Sequence, residues 1–269
     1  MNAQPIDAGR PVGDLLREWR RHRRLSQLEL ANGAELSTRH LSFVESGRAQ
    51  PSRDMILRLA EYLDVPLRER NALLAAAGFA PAFRQRALDD PALAAARSTI
   101  DLLLQGLEPF PALAVDRYWQ LVASNRATMR LLGGVAPALL EPPVNVLRLS
   151  LHPAGLAPRI RNLDQWRAHL LHRLRQQIDA SHDPGLIALL RELQALPAPG
   201  DAGETDPRAS IAVPMQLEVD GQVLSLLSTT TVFGTPVDIT LAELALEAFV
   251  AADAATADRL RSMAAADRA

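Results

Sequence analysis

Cysteine is absent from the chain, which excludes disulfide scaffolds and thiolate metal sites. Lysine is absent as well, so all 29 basic residues are arginine. Arginine's rigid donor fork suits phosphates and guanine edges, although genomic composition can produce the same bias. No stretch approaches roughly 18 uninterrupted apolar residues, the length a membrane-spanning helix needs. The opening "MNAQPIDAGRPVGD" lacks the apolar segment of a secretory signal. A cytoplasmic protein without membrane insertion is therefore expected. Also missing are a GxSxG turn, a phosphate-cradling glycine loop, an HExxH helix and a placeable pair of catalytic carboxylates. His169 and His172 lie three apart on one predicted helix, but no third metal ligand of the right type accompanies them. Ser181, His182 and Asp183 spell a triad's letters, yet adjacent residues cannot form the relay geometry and read better as a helix cap. No catalytic residue, metal or cofactor is expected.

What is present suffices for two domains. The chain has 269 residues, 48% of them hydrophobic, so each half can bury a core. The net charge of −2 hides an asymmetry. Residues 1–86 carry fourteen arginines against ten acids, and the remainder carries fifteen against twenty-one. A polyanion is therefore expected at the N-terminal part.

The first ninety residues read as short helices with tight connections. "VGDLLREWRRHRR" gathers Val12, Leu15, Leu16 and Trp19 on one face. Ser26 and Glu29 form a capping-box pattern ahead of a second helix. "ELS" turns the chain, Ser37 caps a third helix, "TRHLSFVES", and Gly47 ends it. Ser52 opens a fourth helix with Met55, Ile56, Leu59, Ala60 and Leu63 as its core stripe. Pro66 starts a fifth, which Gly78 closes. Such a string implies a compact all-α domain of about 70–80 residues.

The third helix has little to bury. Leu41 and Val44 can face a core, while Thr38, Arg39, Ser42 and Phe43 mostly lie away from them. Gln27 opens the preceding helix, where a phosphate can meet free amides and the positive helix dipole. This spacing fits a helix-turn-helix whose second helix enters the major groove of DNA while the first crosses the backbone. "LSQLELANGAELSTRHLSFVESGRAQPSRDMILRLAEYLDV" resembles the Xre group of phage-repressor-like regulators, over roughly Val12 to Gly78. The resemblance implies that Gln27 clamps a phosphate, that Thr38 and Arg39 read base edges and that Arg48 meets the backbone. It also implies a buried ion pair between Arg20 and Glu45. Phe43 departs from the polar residue many relatives carry, and either meets a thymine methyl group or packs beside Trp19. The expected DNA-binding set is Arg20, Gln27, Thr38, Arg39, His40, Ser42, Phe43 and Arg48, with His40 equally readable as a surface residue.

Beyond "FAPAFRQRALDDPA" the character changes. A linking helix spans "ALAAARSTIDLLLQGL", and "ALAVDRYWQLVASN" reads as one bent strand or two short ones. "NRATMRLLGG", "DQWRAHLLHRLRQQIDA" and "PGLIALLRELQAL" read as helices, and "LPAPGDAGETDP" as a polar loop. "ASIAVPMQLEVDGQVLSLLSTTTVF" predicts a hairpin turning at Asp220-Gly221. An alanine-rich helix is expected from Leu241 to about Met263.

"PFPALAVDRYWQLVASNRATMRLLG", "NVLRLSLHPAGLAPRIRNLDQWRAHLLHRLR" and "DPGLIALLRELQAL", in this order, resemble the ligand-binding domain of MmyB-like transcriptional regulators, a PAS-like fold. The resemblance implies a mixed α+β domain with a small antiparallel sheet around an apolar pocket, and fatty acids or related lipids as ligands. Residues named for that pocket are Phe110, Tyr118, Trp119, Met129, Leu147 and Trp166, each of which ordinary core packing also explains. Arg117, Arg148 or His152 would meet a carboxylate. The expected division is a helix-turn-helix domain over 10–80, a linker and connecting helix over 81–107, and a ligand-binding and dimerisation domain over 108–269. The function so implied is a homodimeric operator-binding regulator, by default a repressor, controlled by a small apolar ligand. The alternatives are a second half that is a protein-interaction module without a small ligand, or a DNA-tethered enzyme.

Overall fold

The computed structural model describes residues 10–181, 183–197 and 213–266. Contacts divide the chain into two units: one runs up to Arg86 and adds Thr235–Ala242, and the other comprises Ala87–Gly234 and Glu243–Ala269.

The first unit is all-helical. Helices α1 (Val12–His22), α2 (Gln27–Gly33), α3 (Thr38–Glu45), α4 (Arg53–Tyr62) and α5 (Leu67–Ala76) follow one another with short turns. Local chemistry sets their ends. Ser26 and Glu29 exchange both capping-box hydrogen bonds at α2, and the hydroxyls of Ser37 and Ser52 accept from His40 N–H and Met55 N–H. Leu16, Leu30, Leu41, Ile56, Leu59 and Leu74 form a dry centre with no exposed surface. Helix α1 packs on α3 at Gly13, where an added Cβ would lie 2.3 Å from the Val44 carbonyl oxygen.

The second unit mixes helices with one sheet. In chain order it contains α6 (Ala94–Gly106), β1 (Ala112–Val115), β2 (Leu121–Ser124), α7 (Arg126–Leu131), α8 (Val146–Leu151), α9 (Leu163–Ser181) and α10 (Pro184–Ala195). Strands β3 (Met215–Val219) and β4 (Gln222–Val232) follow as a hairpin, and β5 (Ala245–Ala251) comes after an intervening short helix, α11 (Ile239–Ala242). Helix α12 (Ala254–Ala266) closes the unit. The sheet order is β2-β1-β5-β4-β3, with every pair antiparallel. Asp220 and Gly221 both adopt positive φ, 50° and 72°, as a two-residue hairpin turn requires. Between β1 and β2 the Asp116 carboxylate accepts from Tyr118 N–H and Gln120 N–H, fixing a turn in which Trp119 takes φ 62°. Leu174, Leu193, Leu217, Leu226 and Trp166 anchor the core. The polar loop expected over 196–207 lies almost wholly outside the described residues.

Two expectations need correction. The alanine-rich helix predicted from Leu241 to Met263 is three elements: the end of α11, strand β5 and helix α12. "ALEAFVA" has helix-forming residues, but β5 lies between β1 and β4 and satisfies its backbone through both neighbours. Tertiary pairing overrides a weak local preference there. The linear division into 10–80, 81–107 and 108–269 also differs from the contact pattern. Residues 81–86 join the first unit, and so does the segment Thr235–Ala242 from between β4 and β5. That segment is tied down by Arg86 Nη1 donating to Asp238 Oδ2 at 2.7 Å and by Ile239 N–H donating to the Arg84 carbonyl at 2.9 Å. Asp238 is 1% exposed and Ile239 2%.

Candidate functional site

The turn between α2 and α3 is short because Glu35 accepts a left-handed φ of 54° and Leu36 N–H donates to the Ala31 carbonyl at 2.8 Å. At the far end Gly47 takes φ 72°, and Arg48 N–H reaches back to the Phe43 carbonyl at 2.8 Å. Helix α3 is thus fixed at both ends by local hydrogen bonds.

Its inner face is locked electrostatically. The Glu45 carboxylate, on a residue 2% exposed, accepts from Arg20 Nε at 2.6 Å and Nη2 at 2.8 Å. Gln27 Nε2 donates to the same carboxylate at 2.8 Å, and Arg17 donates to the Glu45 backbone carbonyl. Burial alone would push the Glu45 pKa up. The hydrogen bonds from Arg20 and Gln27, with the charges of Arg20 and Arg17, outweigh it and hold the group below the usual carboxylate range. This bidentate pair joins α1 to α3, and Gln27 brings α2 into the same knot.

The outer face of α3 is open. Arg39 and His40 are exposed, Thr38, Ser42 and Phe43 half-buried, and Arg48 is exposed just past Gly47. The Arg39 guanidinium lies over the Phe43 ring, 5.4 Å from its centroid. Among the described residues neither Arg39 nor Arg48 has a carboxylate partner, whereas Arg10, Arg17, Arg20 and Arg86 do. Arg20, expected in the DNA-binding set, is 9% exposed and spends its guanidinium on Glu45 and the Leu25 carbonyl, so it positions α3 from inside.

Of the residues expected to line a ligand pocket, most belong to the core of the second unit or pack against it. Leu147 and Trp166 are 2% exposed core residues, and Trp166 Nε1 donates to Ser150 Oγ at 2.9 Å. Trp119 donates to Gln177 Oε1 at 2.7 Å beneath the guanidinium of Arg173. Phe110 packs on the edge of the core, and Met129 is 54% exposed. The three residues expected to meet a carboxylate ligand have internal partners. Arg117 faces Asp183 and Glu243, Tyr118 donates to Asp183, Arg148 forms a bidentate pair with Glu192, and His152 Nδ1 accepts from Ala154 N–H. Asp183 also caps α10, while His182 lies outside the described residues.

A cavity of about 760 Å³ does open in the second unit, and none of those nine residues lines it. Its wall includes Arg130, Arg159 and Arg259, which sequence reading missed because they lie far apart on three different segments. Among the described residues no three His, Asp or Glu side chains form a group that could hold a metal, and no helix is long and apolar enough to cross a membrane.

Comparison with known families finds one match in each part of the chain. Residues 11–73 match a helix-turn-helix domain, and residues 96–263 match the MmyB-like transcription regulator ligand binding domain. No curated protein matches the chain. Both matched families are regulatory, one binding DNA and the other a ligand. With a helix-turn-helix locked by Glu45 at one end and a ligand-binding domain match over more than half its length, the chain belongs to the MmyB-like transcription regulators.

Proposed function

We propose that this DNA-binding regulator acts in the cytoplasm as a homodimeric repressor whose operator affinity is set by a small, largely apolar ligand, a fatty acid or a related lipid, in a PAS-like second domain. The observation that carries the DNA half is the outer face of α3: an exposed Arg39 laid over Phe43, without a carboxylate partner, on a helix fixed at both ends. Arg39 and Thr38 read base edges, Ser42 and Phe43 add contacts in the major groove, and Gln27 and Arg48 hold phosphates, with His40 at the margin. Dimers place two such helices about 34 Å apart on a near-palindromic operator. Leu102 and Leu103, 68% and 44% exposed on α6, supply apolar surface of the kind a dimer contact covers.

The chain itself is the proposed route from ligand to DNA, since it passes between the two units at 86/87, 234/235 and 242/243. A ligand that favours one arrangement of the sheet would bias the reading heads through these links, as a population shift.

The test is selection of an operator from a random DNA library with the full chain, then anisotropy titrations with and without lipid extracted from the purified protein. Selection of a two-fold operator whose affinity falls when lipid is added supports the whole reading. A protein that selects no sequence, or whose operator affinity ignores every extracted compound, overturns it.

A further inference from the structure

The 760 Å³ cavity of the second unit brings together Arg130 from α7, Arg159 from the turn before α9 and Arg259 from α12. Arg130 faces Glu108, and the carboxylates on the rim leave the Nε of Arg259 over. Glu218 is bound by Arg161, and Asp220 accepts from Arg259 Nη2 at 3.1 Å while staying 72% exposed. The Nε of Arg259 is buried and has no hydrogen-bond partner, the one such side-chain atom among the described residues. A buried N–H without an acceptor is unfavourable, and an incoming acceptor relieves it. Arg159 is half-buried and donates to the Leu131 carbonyl, and its burial draws its pKa below the usual arginine value against the opposing charge of Asp220. Apolar wall is supplied by Val219 and Met263.

We propose that this cavity is the effector site, and that it binds an organic anion: a carboxylate or phosphate-type head on Arg259 and Arg159, with a short apolar body along Val219 and Met263. The proposal rests on reading the second unit as a ligand sensor and names the site and the ligand chemistry. Asp220 is the internal stand-in for the head group. It occupies Arg259 Nη2 with a carboxylate oxygen, while the neighbouring Nε remains unused. Because Asp220 forms the β3–β4 turn, an anion that competes with it acts on that hairpin, and β4 leads on to the segment 235–242 of the DNA-binding unit.

Isothermal titration calorimetry on the full chain, without DNA, tests this with octanoate and octyl phosphate, and with acetate and inorganic phosphate as bare heads. One octyl probe binds at one site per chain, at least tenfold tighter than its bare head, and the tighter of the two assigns the head group. Arg259→Gln weakens it about tenfold or more. Asp220→Asn tightens it severalfold, because asparagine tolerates the left-handed turn and releases Arg259. Arg261→Gln makes the same charge change on the same helix outside the cavity and leaves binding unaltered. Absence of binding by both octyl probes overturns the proposal, as do bare heads that bind equally well and equal losses in Arg259→Gln and Arg261→Gln. Octyl binding that survives Arg259→Gln unweakened keeps a sensor but moves its site elsewhere, which overturns this assignment alone.

Discussion

The guanidinium of Arg39 lies 5.4 Å from the centre of the Phe43 ring, one helical turn further along α3. An exposed arginine normally wanders among many rotamers, and ordering it on binding has an entropic cost. Cation–π contact with Phe43 restricts that freedom in advance. If Arg39 reads base edges as proposed, Phe43 acts as its support, and an aromatic side chain is compatible with that place on the outer face of α3.

Arg39→Ala is expected to lose about 1–3 kcal/mol on the selected operator and little on scrambled DNA, the mark of a lost bidentate base contact. Phe43→Leu, which keeps apolar bulk but removes the ring, should produce part of the same loss. Anisotropy titrations at fixed salt measure both; equal losses on operator and scrambled DNA would contradict base reading by Arg39.

Gln27→Ala should weaken binding to all sequences about equally, since phosphate contacts carry no sequence information. The Gln27 amide also donates to Glu45, so a small loss of stability accompanies it. A loss confined to one operator position would argue against the phosphate role.

Glu45→Gln leaves the Arg20 guanidinium buried without its counter-charge, and is expected to cost the first unit about 3–5 kcal/mol. The same pair predicts an acid limit. Because the folded Glu45 pKa is depressed, its stabilisation is complete above the unfolded value near 4.5 and fades as pH falls through the folded value. Urea unfolding followed by Trp19 fluorescence between pH 7 and 3 reports both effects.

His169 sets a different window in the second unit. Burial, foremost, and the charges of Arg173 and His172 hold its pKa below the ordinary 6.5. The unfolded chain then takes up a proton before the folded one, so stability declines as pH falls from about 6.5. In a Trp19→Phe background, fluorescence of Trp119 and Trp166 should show that decline, and His169→Gln should flatten it.

Gly13→Ala places a methyl group 2.3 Å from the Val44 carbonyl oxygen, backbone that cannot turn aside. Separation of α1 from α3 is expected, with a loss of about 1–3 kcal/mol and weaker operator binding. Asp238→Ala likewise removes the buried partner of Arg86. It should release the segment 235–242 to proteolysis at a concentration of protease that leaves the wild type intact.

Much of the DNA-binding unit was legible in residue order. Its capping serines, the Ser26–Glu29 box and the Gly47 stop declare themselves because caps and turns involve residues within a few positions of one another, whereas the Arg20–Glu45 pair, 25 residues apart, was reached only through the family resemblance. The Asp220-Gly221 hairpin was legible for the same reason. Strand β5 was not: its alanines, leucine and glutamate favour a helix, and only pairing with β1 and β4 makes them a strand. Nor could order in the chain reveal that 235–242 completes the first unit, or that Arg130, Arg159 and Arg259 share one cavity. Local hydrogen bonds and hydrophobic period are properties of neighbouring residues, and the sequence by itself determined those: five helices, three of them serine-capped, one open helix face and a hairpin. Partners brought together by burial over a hundred residues apart are properties of the packed chain, and only the tertiary structure decided them.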